Sequence, residues 1–357
     1  MALTLSTLGD LNNLQHDEII DVRSPAEYAE DHVPGSINLP VLTDTERAQV
    51  GTIYKQESPF KARKIGAALV AQNAARHLQT HLADKPGNYR PLVYCWRGGQ
   101  RSNAFAAILS QIGWRAQVVG GGYKTYRRLV VDALYDQPFP CPVILLDGDT
   151  GSGKTDILNR LPALGWQVLD LEGLARHRGS VLGAYTQAQP SQKGFESALA
   201  MGVERLDPTR PVVVEAESSR VGEINLPPML WAAMCAAPRL VIEVPRPARA
   251  RYLVKAYDDL SLQDASERLM QLRRLHGAAR LAEWQEMLSQ KRFEALALSL
   301  MEVHYDPVYR RGRKGHVAHT LALPDTALLP DTIESTARSV AEALGQIRTP
   351  AASGVLP

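Results

Sequence analysis

The stretch PLVYCWRGGQRSNAFAAIL, residues 91–109, decides the fold. Leu92, Val93 and Tyr94 form a short apolar run suited to a buried strand, Gly98 and Gly99 permit the positive φ of a tight loop, and 103–112 reads as a helix stopped by Gly113. Cys95 falls just ahead of that helix, where converging backbone N–H groups and the positive end of the helix dipole stabilise an anion. Arg97 and Arg101 add charge and forked donors. Such a setting lowers a thiol's pKa from ~8.5 towards ~3.5–7.5, so that the nucleophilic thiolate prevails at neutral pH. A lone strand-end cysteine is more often a small buried hydrophobe, but the glycines and arginines after Cys95 favour a reactive loop that also cradles an oxyanion.

Working outward, the flanks repeat the same alternation. A strand at 18–22 precedes a helix opened by Ser24, Pro25 and Glu27, a capping box with proline at the first position. A turn at 33–40 leads into a second strand, helices follow at 44–56 and 59–82, the latter capped by Ser58, and a strand at 116–119 closes on Gly120, Gly121 and Gly122. Strand, helix and strand in alternation predict an α/β domain with a parallel sheet over 1–136. The proline-rich segment 137–142 cannot sustain a helix and reads as a linker to a second domain at 143–348, with a disordered tail at 349–357.

That second domain opens on an apolar strand at 143–146 followed by GDTGSGKT, residues 148–155, the full phosphate-binding loop pattern. Gly148, Gly151, Ser152 and Gly153 let backbone N–H groups close around a diphosphate, Lys154 neutralises its outer oxygens, and Thr155 is of the type that ligates Mg²⁺. A helix at 156–164 and strands at 166–171, 212–214 and 240–244 extend the pattern into a parallel sheet of the P-loop NTPase type. Glu215 and Glu217 follow a strand where nucleotidases carry a Mg²⁺-holding acid, although solvated strand ends read equally well. The loops HRGSVLGAY and QPSQKGFES are expected to bring Arg178, Gln192 and Lys193 to the crevice, the second loop leading into a helix at 195–206.

From 247 to 301 the pattern is helical and amphipathic, and a last helix is expected at 332–347. Across 246–314 there are 14 Lys and Arg against 9 Asp and Glu. Arg273, Arg274, Arg280, Lys291, Arg292, Arg310, Arg311, Arg313 and Lys314, interleaved with Tyr305 and Tyr309, suit phosphates and unstacked bases. The 357 residues carry a net charge of only +2, so a basic tail protein is excluded. No long apolar span or signal peptide is evident, which predicts a cytoplasmic protein without membrane contact. Cys95, Cys141 and Cys235 lack paired spacing, so neither a disulfide framework nor a cysteine zinc site is expected. His77 and His81 share a helix face without further ligands, so no protein-built metal site is expected, nor a tightly bound cofactor.

DVRSPAEYAEDHVPGSINLP at 21–40, the Cys95 loop and the closing GGY at 121–123 resemble the rhodanese family of sulfur-transfer domains, over about the first 130 residues. That resemblance implies a persulfide or comparable chalcogen adduct on Cys95. Five residues separate Cys95 from Arg101, one more than in the commonest rhodanese loop and similar to phosphatase-type relatives, so loop length leaves the substrate open. In order along one chain, CWRGGQRS, GDTGSGKT, HRGS, QPSQKGFE and ESSRVG resemble the tRNA 2-selenouridine synthase family over nearly the whole length. The resemblance implies a transferase that exchanges sulfur of wobble 2-thiouridine in tRNA for selenium from selenophosphate, with S-geranylation of the same base from geranyl diphosphate. Two other readings compete: a Cys-dependent phosphatase or sulfurtransferase fused to an NTP-binding domain, and a nucleotide-controlled RNA-binding protein.

Overall fold

The computed structural model describes residues 2–13, 15–180, 183–185, 187–312 and 317–349, the side chains of 310–312 excepted. Arg313, Lys314, the side chains of Arg310 and Arg311, part of the HRGSVLGAY loop and the tail at 350–357 therefore lie outside the described residues. The chain forms two compact units, Met1–Asp136 with Ser191–Glu204, and Gln137–Pro190 with Arg205–Pro357.

The first unit is built on a five-stranded parallel sheet of β1 (Ala2–Leu3), β2 (Glu18–Asp21), β3 (Ile37–Asn38), β4 (Pro91–Tyr94) and β5 (Gln117–Val119), in the spatial order β1-β5-β4-β2-β3. Leu92, Val93 and Tyr94 are each 1% exposed or less, because helices cover both faces of a parallel sheet and its central strand has no wet side. The expected caps form: Ser24 N–H donates to Glu27 Oε2 at 3.2 Å, and Lys61 N–H donates to Ser58 Oγ at 3.4 Å. The helix after the cysteine loop spans Gln100–Gln111 and so begins three residues earlier than its apolar pattern suggests.

One helix departs from the expected division. Gln192–Val203, which the sequence assigns to the second domain, packs within the first unit. Phe195 and Leu199 are fully buried there, Lys193 Nζ pairs with Glu30 at 2.6 Å, and Ser197 Oγ donates to Asp31 Oδ2 at 3.0 Å. An amphipathic helix shows which face it buries but not against what, so no local signal could make this assignment.

The second unit carries β6 (Val143–Gly148), β7 (Gln167–Leu169), β8 (Val212–Glu215), a short hairpin of β9 (Arg220–Val221) and β10 (Ile224–Asn225), then β11 (Arg239–Glu243) and β12 (Val317–Ala322). Its parallel sheet runs β12-β11-β6-β8-β7. The chain leaves β6 towards the β8 side and later returns to its other side, so the end of β6 is a topological switch point, where doubly wound sheets bind ligands. The expected helix at 156–164 is two pieces, Lys154–Leu158 and a 3₁₀ turn Leu161–Leu164, closed by Gly165 at φ 88°. The long helical region resolves into Arg246–Ala256, Leu262–Met270, Arg273–Ser289, broken at Gly277, and Phe293–Leu300. The edge strands β1 and β12 leave no apolar run in the sequence, since β1 has two residues and β12 alternates at a largely exposed margin.

Candidate active site

The first centre is the loop that β4 delivers. Cys95 is 4% exposed, with Sγ 3.2 Å from Ser102 Oγ and accepting from Gly99 N–H at 3.3 Å. Burial alone would raise its pKa, but the Ser102 hydroxyl and the backbone N–H groups of Ser102, Gly99 and Arg97 outweigh it and hold the thiol below its ordinary value. Gly98 takes the left-handed conformation at φ 63°, whereas Gly99 caps the helix at φ −105°. The closing glycines fit by close approach: a Cβ on Gly122, at φ 59°, would lie 2.2 Å from the Cys95 carbonyl.

The arginines of this loop lie elsewhere than their spacing suggests. Arg101 Nη1 donates to Glu27 Oε2 at 2.9 Å, while Arg97 is exposed, and neither guanidinium is bonded to the sulfur. The Ser102 hydroxyl and then the loop N–H groups hold the thiol below its ordinary value.

The second centre is the phosphate loop at the end of β6. Gly151 and Gly153 sit at φ 80° and 72°, and a Cβ on Gly151 would meet the Arg249 carbonyl at 3.0 Å, so only glycine lets the loop pass helix Arg246–Ala256. Lys154 Nζ donates to Gly148 O at 2.7 Å and lies 5.4 Å from the centre of the Tyr309 ring. Thr155 Oγ1 donates to Glu172 Oε2 at 2.7 Å. Ser152 is 1% exposed and its hydroxyl has no hydrogen-bond partner among the described residues. A cavity of about 470 Å³ stands over Thr150, Gly151, Ser152, Gly153, Lys154 and Thr155.

Beside the loop, three carboxyls converge. Glu172 N–H donates to Glu215 Oε1 at 2.7 Å, and Glu217 interacts with Glu172. Burial first, then the neighbouring acids, pushes Glu215 well above the usual carboxylate range and Glu217 up to about 8. They are therefore not solvated strand ends. Between about pH 4.5 and 8 the folded protein holds a proton on Glu217 that the unfolded chain has released, so this group's contribution to stability is lost as pH rises through that window. The melting temperature is expected to fall from pH 6 to pH 9 and Glu217→Gln to flatten the fall; an identical slope in the variant would rule out a proton held there.

A family profile described as "tRNA 2-selenouridine synthase AAA domain" matches residues 141–289, and a profile described as "Rhodanese-like domain" matches 7–129. A relative named tRNA 2-selenouridine synthase from Aeromonas salmonicida is 39% identical over 258 residues, 71% of this chain and 68% of that protein. Another of that name from Salmonella schwarzengrund is 33% identical over 327 residues, 82% of this chain and 88% of that protein. The chain belongs to the tRNA 2-selenouridine synthase family. Among solved structures, the N-terminal domain of a putative ATP/GTP binding protein from Clostridium difficile 630 is 34% identical, covering 37% of this chain and 99% of that one with a TM-score of 0.31. The rhodanese-like and P-loop-type α/β halves expected from the sequence are both present in this family member.

Of the expected crevice residues in this tRNA 2-selenouridine synthase homologue, only Arg178 lines the phosphate-loop cavity. It lies between the rings of Tyr185 and Tyr257, at 4.2 and 4.6 Å, and its Nη2 donates to Asp259 at 2.9 Å. Gln192 and Lys193 do not line it, because their helix is part of the first unit. Glu172, Tyr252 and Tyr257 do, and no local pattern in the sequence singles them out.

Arg249 is likewise illegible in the sequence. It is 3% exposed, and Nη1 donates to the Thr150 carbonyl at 3.0 Å while both terminal nitrogens hold Asp306 at 2.9 Å. It fixes the phosphate loop to the helices behind it. Arg249→Ala leaves buried Asp306 with Arg246, at 3.2 Å, as its remaining cation and the Thr150 carbonyl without its donor, for which a stability loss of about 1–3 kcal/mol is expected by denaturant titration. A loss under about 1 kcal/mol would mean that the pair does not brace the loop.

Arg273, Arg274, Lys291 and Arg292 are exposed and form no ion pairs among the described residues, while Arg280 pairs with Glu283 at 2.6 Å. Cys95, Cys141 and Cys235 are all free thiols. No helix of the described residues is long and apolar enough to cross a membrane.

Proposed function

We propose that the protein is a tRNA-modifying transferase that replaces the sulfur of wobble 2-thiouridine by selenium from selenophosphate, through an S-geranylated intermediate formed from geranyl diphosphate. The observation that carries this reading is the presence, on one chain of this family, of an activated thiol loop and a separate phosphate loop with a braced backbone. In the first step the thiocarbonyl sulfur attacks C1 of geranyl diphosphate, the C–O bond breaks and diphosphate departs. The loop N–H groups, the Ser152 hydroxyl and Lys154 bind the departing charge. S-alkylation makes that sulfur a leaving group; the selenium of selenophosphate then adds at C2, geranylthiolate leaves, and water cleaves the Se–P bond, which releases phosphate and leaves selenium on C2. Cys95 assists selenium delivery, and the free Arg97 guanidinium is available to the donor's phosphate.

Mg²⁺ suits this site when it arrives with a diphosphate. The hydroxyl of Thr155 and the carboxylate of Glu172, 2.7 Å apart, are oxygen donors of the type it takes alongside substrate oxygens. Bound there it supplies positive charge against the diphosphate.

The wobble base sits in a single-stranded loop, where it is exposed without breaking a helix. Arg273, Arg274, Lys291 and Arg292 are the free cations for phosphates of the anticodon stem. With six or more phosphate contacts, affinity should fall roughly 10³-fold between 50 and 200 mM salt, read by filter binding; salt-insensitive binding would exclude this surface. The function itself is tested by incubating the protein with 2-thiouridine tRNA, geranyl diphosphate and selenophosphate and analysing nucleosides by mass spectrometry. 2-Selenouridine is expected, and a base left unmodified overturns the proposal.

A further inference from the structure

The polar cavity over the phosphate loop adjoins a second space of different character. Thr150, Leu253 and Tyr257 line both. Beyond them, a chamber of about 580 Å³ opens between helix Arg246–Ala256 and the small bundle of Leu262–Met270, Arg273–Ser289 and Phe293–Leu300. Its walls are mostly apolar, with Leu260, Ala265, Leu288, Leu296, Ala297 and Leu300 among them, while Asp258, Ser261 and Lys291 add polar groups. Four of these residues belong to the bundle's own apolar core. At the rim, Leu262 and Phe293 are 44% and 36% exposed, apolar surface that closure of the bundle alone would have covered.

An anion cradle joined to an apolar chamber selects an amphiphile. A nucleotide fits less well, since a base lying against Leu260, Ala265, Leu288, Leu296 and Leu300 would find no partners for its polar edge on those side chains. An unbranched or branched hydrocarbon tail needs no partner there. We infer that this chamber receives the hydrocarbon tail of the prenyl diphosphate whose head lies on Gly148–Thr155. This rests on the diphosphate reading given above; it adds where the tail lies and what limits its length. The bundle, an insertion between β11 and β12, is then the part of the second unit that makes a phosphate loop take a lipid-like donor in place of a nucleoside triphosphate.

The test compares dimethylallyl and geranyl diphosphates as donors for S-prenylation of 2-thiouridine tRNA, with inorganic pyrophosphate as a competitor that reads the head site alone. Each methylene removed from a buried tail costs about fourfold, so the wild type should favour the ten-carbon over the five-carbon donor by roughly 10²–10³ in kcat/KM. Two fillings from different helices, Ala297→Trp and Ala265→Leu, should reduce geranyl kcat/KM about tenfold or more, while the dimethylallyl value and the pyrophosphate inhibition constant stay within about twofold. An intact pyrophosphate constant also reports that the loop is folded in each variant. If both fillings leave the donor preference unchanged, or lower both donors equally, with pyrophosphate inhibition intact, the chamber does not hold the tail. A wild type that binds pyrophosphate but transfers no prenyl group would instead remove the prenyl-donor reading, and the chamber's assignment with it.

Discussion

Lys154→Ala is expected to slow S-geranylation by about 10²–10³-fold, the magnitude typical of losing one positioned group that stabilises developing charge. Lys154 lies at the start of its helix with Nζ held 2.7 Å from the Gly148 carbonyl, so its charge stands against the loop where the diphosphate oxygens would gather. The departing diphosphate gains negative charge as the C–O bond breaks, and of the cations lining the cavity, Lys154, Arg160, Arg178 and Lys255, only Lys154 belongs to the phosphate loop. Tail contacts persist in the variant, so the loss should fall mainly on kcat. Selenium insertion into tRNA that already carries the S-geranyl group should proceed within a few-fold of the wild-type rate. The two steps are separable by supplying geranylated tRNA and quantifying nucleosides. Equal loss of both steps would mean that the phosphate loop also serves selenium transfer.

Cys95→Ser should have the mirror effect: selenium incorporation falls by about 10³-fold or more, and geranylated tRNA accumulates. The substitution preserves size and the partners at Ser102 and Gly99, 3.2 and 3.3 Å from Sγ, so the loop should keep its shape. What is lost is access to the anion, because an alkyl hydroxyl remains protonated whereas the Cys95 thiol is held below its ordinary value by Ser102 and the loop N–H groups. Selenium incorporation by the wild type should track the thiolate fraction and fail on the acid side, since protonation removes the anion that assists selenium delivery. Full selenium incorporation by the serine variant would show that the loop only binds the donor and that Cys95 takes no chemical part.

The parts of the site that were legible in the sequence are those built from local backbone. The phosphate loop, the cysteine turn and the helix caps depend on residues adjacent in the chain, and glycine, proline and capping side chains state those conformations directly. The two parallel sheets followed from apolar runs that both faces of a covered sheet require. Arg101 has an ion pair that was not legible, for the opposite reason. Its spacing from Cys95 suits a phosphate cradle, but its guanidinium is taken by Glu27, 74 positions away.

The sequence by itself therefore determined the two kinds of centre, a thiol activated by loop N–H groups and a glycine-rich anion loop, together with the α/β frame that holds each. Tertiary structure alone decided which unit helix Gln192–Val203 joins, that Arg249 and Asp306 brace the phosphate loop, that Glu172, Glu215 and Glu217 share a buried acidic corner, and that an apolar chamber adjoins the diphosphate site. Each of these is a contact between residues distant in the chain. Periodicity reports that a side chain is buried, but a leucine facing a chamber and a leucine filling a core have the same period, and only the assembled helices distinguish them.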